Sequence, residues 1–130
     1  MRLFTVAEAE ATLETLREHV VAMQACKREI DGLREQLSRA AEKSGGNGHV
    51  QDRNELAKAR RRAETLVERM NEHLAAINAE GVELKDADQG LLDFPSDRDG
   101  HVVYLCWKLG EDRIAWWHDV DAGFAGRQPL

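Results

Sequence analysis

Proline is almost missing from this chain of 130 residues: only Pro95 and Pro129 occur, and none precedes residue 95. Nothing in that first stretch removes an amide donor or forces a kink, so a very long helix is permitted. Long apolar runs are missing as well. No segment approaches the roughly 18 consecutive apolar residues that a membrane helix requires. The opening Met1-Arg2-Leu3-Phe4-Thr5 has no signal-peptide core, so the sequence predicts a cytoplasmic protein. Cysteine is scarce. Cys26 and Cys106 lie far apart with no CxxC spacing, which leaves dithiol and zinc-ribbon chemistry unsupported and makes both read as reduced core thiols. Nucleophile-elbow, metalloprotease, dinucleotide and phosphate-loop signatures are also absent, so nothing in the motifs supports an enzyme.

Charge is abundant but unevenly placed. The net charge is −6, and residues 1–80 carry 13 Lys/Arg against 14 Asp/Glu, whereas residues 81–130 carry 5 against 10. An acidic second half repels a phosphate backbone and favours a cation or a basic partner. The one basic run, Lys58 with Arg60-Arg61-Arg62, spreads around a helix and is diluted by Glu64 and Glu68. No nucleic-acid partner is expected.

Residues 1–80 read as a helical hairpin. Thr5-Val6-Ala7-Glu8 has the capping-box spacing. The apolar stripe Leu13, Leu16, Val20, Met23, Ile30, Leu33, Leu37, Ala40 then steps by threes and fours, with Cys26 or the Lys27 stem filling its gap. This predicts a helix over 5–43, roughly 58 Å long at 1.5 Å per residue. Ser44-Gly45-Gly46-Asn47-Gly48 reads as a loop within 44–52. A second helix is predicted over 53–80, opened by Asp52 and Glu55, striped by Leu56, Ala59, Ala63, Leu66, Met70, Leu74 and Ile77, and closed by Gly81. Near-heptad spacing and a short connection predict antiparallel coiled-coil packing. Val21, Cys26, Leu33 and Val67 widen the apolar band beyond a two-helix seam. A homodimer through the hairpins is the favoured explanation; the alternative is that the second half folds back over the band.

Residues 81–130 change period and hold six of the seven aromatics. Strands are predicted at 82–85, 91–94 (stopped by Pro95), 102–109 and 113–118, as an antiparallel meander followed by an irregular tail. A three-residue loop at Gly110-Glu111-Asp112 would place Leu105 opposite Trp117, Trp107 opposite Ala115, Cys106 opposite Trp116 and Tyr104 opposite His118. The predicted fold class is thus α+β, with a helical hairpin at 1–80 and an acidic β-meander at 81–130.

The sharpest chemical candidate is His118-Asp119-Val120-Asp121. Imidazole with carboxylates suits zinc, manganese or ferrous iron, provided a bend brings His118, Asp119 and Asp121 together. Such a stretch is short of ligands and would need Asp93, Asp112 or His101 from elsewhere. Arg127 could hold a carboxylate or phosphate, or else pair internally with Asp119 or Asp121. Tyr104 and Trp117 are the aromatic candidates for ligand contact. The rows Glu10, Glu14, Glu18 and Glu64, Glu68, Glu72 read as solvated faces, because no Glu-x-x-His motif precedes His19 or His73.

Gly90-Leu91-Leu92-Asp93-Phe94-Pro95, Val103-Tyr104-Leu105-Cys106-Trp107-Lys108-Leu109-Gly110 and the segment from Trp117 to Leu130 resemble a bacterial family, domain of unknown function 2203. The opening Leu3-Phe4-Thr5-Val6-Ala7-Glu8-Ala9 is similar to that family's start, so the resemblance spans essentially the whole chain. It implies no activity and transfers no catalytic residue. Two functions follow from the residues: a non-enzymatic homodimeric module presenting its β-domain and tail, or a small metal-dependent protein built on His118, Asp119 and Asp121.

Overall fold

The computed structural model describes residues 1–43 and 50–130, with side chains outside 43–52. The predicted glycine loop at 44–48 and the Asp52 side chain lie outside the described residues. Helix α1 (Val6–Lys43) is followed by α2 (Val50–Ala79) and five strands: β1 (Glu83–Asp86), β2 (Leu91–Arg98), β3 (His101–Lys108), β4 (Trp116–Asp119) and β5 (Gln128–Pro129). The sheet is antiparallel throughout, in chain order β1-β2-β3-β4-β5.

The capping box forms as the sequence predicts. The Glu8 amide donates to the Thr5 hydroxyl at 3.1 Å, and the Thr5 amide donates to the Glu8 carboxylate at 3.1 Å. The helices pack antiparallel: Glu29 meets Arg62 at 2.6 Å, and His19 meets His73 with 2.9 Å between their Nδ1 atoms. Cys26, Ile30 and Leu66 form a small core between them. At the end of α2 the Gly81 amide donates to the Asn78 carbonyl at 2.9 Å, with Gly81 in the left-handed region at φ 81°. Asp52 does not open α2, which already runs from Val50.

The sheet folds back over the base of the hairpin, which was the alternative to dimerisation as cover for the apolar band. Leu13, Leu16, Val20 and Met23 of α1 share one core with Leu92, Phe94, Leu105 and Trp107 of the sheet, closed by Phe4, Ile77, Val82 and Ile114. Phe4 meets Phe94 edge to face at 5.4 Å. In β2 the even-numbered Leu92, Phe94 and Ser96 face the helices, so Leu91, Asp93 and Pro95 occupy the outer face.

Three sequence expectations need correction. Pro95 does not stop its strand, which runs on to Arg98 with Pro95 paired to Tyr104. Its carbonyl accepts from the Phe4 amide at 2.7 Å, on the side away from β3, so its missing N–H falls where no ladder bond is due. The strand expected from Arg113 begins only at Trp116, because the Ile114 amide donates to Glu10 of α1 at 2.7 Å. The tail is not wholly irregular: it makes a 3₁₀ turn at Phe124–Gly126 and then β5, which pairs with Trp116 and Trp117.

Gly90 anchors the turn into β2 at φ 67°, where an added Cβ would lie 2.7 Å from Leu109 Cβ and 3.1 Å from Val20. Backbone strain and overpacking then act together. Gly90→Ala is expected to lose roughly 2–3 kcal/mol in urea unfolding, with the denaturant slope unchanged. A loss under about 0.5 kcal/mol would show that this turn relaxes freely.

Candidate functional site

The outer face of the sheet places three chemically able side chains side by side, each from a different strand. Asp93 of β2 lies directly opposite Cys106 of β3, and His118 of β4 lies opposite Tyr104, one pair along the same face. Strand alternation puts all three on the side away from the helices. The register predicted for Tyr104–His118, Leu105–Trp117 and Cys106–Trp116 is the one observed. Asp93, Cys106 and His118 each retain 2% or less of their exposure. Their donor atoms all lie within 4.8 Å of one another.

The hydrogen bonds determine where protons sit. His118 Nδ1 lies 2.8 Å from the Asp119 carbonyl, which can only accept, so Nδ1 carries hydrogen. His118 Nε2 lies 3.0 Å from Asp93 Oδ1, and one proton must sit between them. Burial pushes the Asp93 carboxyl up from its ordinary range, and the His118 bond only partly opposes this. Burial, reinforced by the nearby Asp93 charge, pushes the Cys106 thiol up to about 11. Cys106 is therefore a protonated thiol at neutral pH and not an activated nucleophile.

Asp93, Cys106 and His118 line a cavity of about 270 Å³ together with Lys85, Leu91 and the segment 120–124. The tail thus forms one wall over the sheet. Arg127 fixes that wall: its guanidinium forks onto Glu111 at 2.6 and 2.9 Å, donates to the Cys106 carbonyl at 3.2 Å and lies 4.6 Å from the Phe124 ring. Its ion-pair partner is Glu111 and not the expected Asp119 or Asp121, because the Lys108 amide, donating at 2.6 Å, holds the Glu111 carboxylate in place beside it.

The other sequence candidates are dispersed. Asp119 contributes its backbone carbonyl to His118, while its side chain is exposed on the opposite face, across from Val103. Asp121 lines the same cavity as His118. Tyr104 stacks obliquely on His118 at 5.6 Å, and its phenol is pushed up to about 12, chiefly by its hydrogen bond to Glu83. Trp117 faces the helix side, packed against the main core with the Arg98 guanidinium 4.4 Å from its ring. Asp112 and His101 are exposed and do not join the cluster. Sequence reasoning missed Cys106, which reads as an ordinary core thiol. The signal was its position opposite Asp93 in the hairpin register.

The family model for an uncharacterized conserved protein, DUF2203, matches residues 2–130. The chain belongs to the DUF2203 family. The match spans both the hairpin and the sheet, so the DUF2203 unit includes the helices that support the site as well as the strands that form it. No curated protein and no solved structure shows a significant match. Among the described residues of this DUF2203 chain, no helix is long and apolar enough to cross a membrane.

Proposed function

We propose that this protein binds one divalent transition-metal ion through Asp93, Cys106 and His118, leaving a fourth position open to the cavity. The observation that carries this reading is the bond from His118 Nδ1–H to the Asp119 carbonyl. Metal-binding imidazoles characteristically donate their remote N–H in this way, which fixes the tautomer and aims the other nitrogen's lone pair. Here Nε2 is aimed at Asp93, beside the Cys106 sulfur. A cation would replace the proton held between Nε2 and Asp93 and displace the Cys106 proton. One imidazole, one thiolate and one carboxylate form a donor set suited to zinc, with ferrous iron and cobalt as chemical relatives. The ligand set combines His118 from the sequence reading with Asp93, one of the extra donors that reading required.

Competition against a chromogenic chelator tests this. Wild-type protein is expected to take up one Zn²⁺, and Cys106→Ser and Asp93→Asn are each expected to bind it at least 100-fold more weakly. Equal affinity in all three proteins would overturn the assignment.

Self-association of the hairpins is a second reading, favoured by the half-buried Leu33, Leu37, Leu56 and Val67 beyond the sheet and by exposed Val21. Light scattering at micromolar concentration is expected to give twice the 14.6 kDa chain mass. A monomer mass would contradict it.

A further inference from the structure

The cavity above the proposed metal site has walls of mixed and specific character. Lys85 reaches it from β1, on one side of the sheet, and its positive charge acts on Asp93. The Lys85 ammonium is held 3.4 Å from Glu83 and 4.9 Å from the centre of the Tyr104 ring. An ammonium has three donors, so the Glu83 pairing leaves capacity for a second anionic partner. Asp121 lines the cavity from beyond β4, the other side. Leu91, Val120, Ala122 and Phe124 complete an apolar wall.

The charges narrow the ligand. Asp93 carboxylate and Cys106 thiolate together balance a divalent ion, so the cation facing the cavity is Lys85, whose charge is shared with Glu83. A single negative charge on the ligand meets both the open metal position and Lys85, while Asp121 opposes a second one. The volume, about 270 Å³, falls just below the roughly 300 Å³ at which drug-sized pockets begin. A ligand somewhat smaller than a typical drug fits. The apolar wall suits a short aliphatic group.

Resting on the metal reading above, we propose that the cavity receives a small aliphatic monocarboxylate whose oxygens take the open metal position and pair with Lys85. The ligand enters from the tail side, where Val120 is 49% and Phe124 39% exposed.

The test uses the full chain at saturating Co²⁺, with the visible cobalt bands as readout and isobutyrate, isobutyramide and inorganic phosphate as probes. Isobutyrate is expected to shift the bands, with isobutyramide and phosphate each at least tenfold weaker. Isobutyrate affinity is expected to fall at least tenfold in Lys85→Met, read at its own saturating Co²⁺. Equal response to isobutyrate and its amide, unaltered affinity in Lys85→Met, or phosphate binding more tightly would each overturn the carboxylate assignment and leave the metal site standing. Failure of wild-type protein to take up Co²⁺ would overturn the metal site and this inference together.

Discussion

Metal-free His118→Ala is expected to lose roughly 3–5 kcal/mol of folding stability at pH 7, because it leaves a buried carboxylate without its partner. Asp93 is 2% exposed, and the His118 bond is the main interaction opposing its desolvation. The loss should depend on pH in a defined sense. A carboxyl whose pKa is raised in the folded state contributes stability that is fully present below its unfolded value, near 3.8, and is lost as pH rises through the folded value. Removing His118 raises Asp93 further, so the variant's deficit should be smallest near pH 4, where the void left by the buried imidazole remains, and grow toward neutrality. Urea unfolding of wild type and variant at pH 4 and pH 7 measures both. A deficit that is the same at the two pH values would show that Asp93 is not the group left stranded. Adding Asp93→Asn to His118→Ala should recover part of the loss at pH 7, since the two residues act as a coupled pair.

Trp107→Ala is expected to cost roughly 3–5 kcal/mol for a different reason, the void left in the shared core. The Trp107 ring is wholly buried between α1 and the sheet, and its indole N–H donates to the Glu111 carbonyl at 2.9 Å. The Arg17 guanidinium lies 5.3 Å from the ring, and Arg17 also donates to the Asp112 carbonyl at 2.6 Å. One side chain therefore ties α1, β3 and the following loop together. A small domain holds about 5–15 kcal/mol in total, so this variant should be near the limit of folding. Phe124→Ala, at an aromatic that is 39% exposed, should cost under about 1 kcal/mol and serves as the contrast. Thermal unfolding that ranks the two equally would contradict the placement of the core.

The local features were legible because they depend on neighbouring residues. The Thr5–Glu8 cap, the α1 stripe, the Gly81 stop and the β3–β4 pairing all follow from spacing and turn chemistry within a few residues. What escaped depends on contacts far along the chain. Pro95 stays in its strand because Phe4, some ninety residues earlier, takes up its carbonyl. The β4 start is delayed because Glu10 captures the Ile114 amide. Strand β5, with two residues and a proline, has no periodicity to detect. The site followed the same division. His118 drew attention as an imidazole among acids, and Asp93 was one of three supplementary donors. Cys106 resembled any apolar strand residue until the register set it against Asp93. Asp119 was counted for its carboxylate, whereas its contribution to the site is the backbone carbonyl that orients His118.

Zinc-edge X-ray absorption on protein loaded with one equivalent of Zn²⁺ reads whether the proposed ion is held by one sulfur and two lighter donors. The expected spectrum has a single zinc–sulfur distance of about 2.3 Å, with nitrogen and oxygen donors at about 2.0–2.2 Å, and the sulfur shell is lost in Cys106→Ser. A wild-type spectrum with only nitrogen and oxygen around the zinc would contradict it.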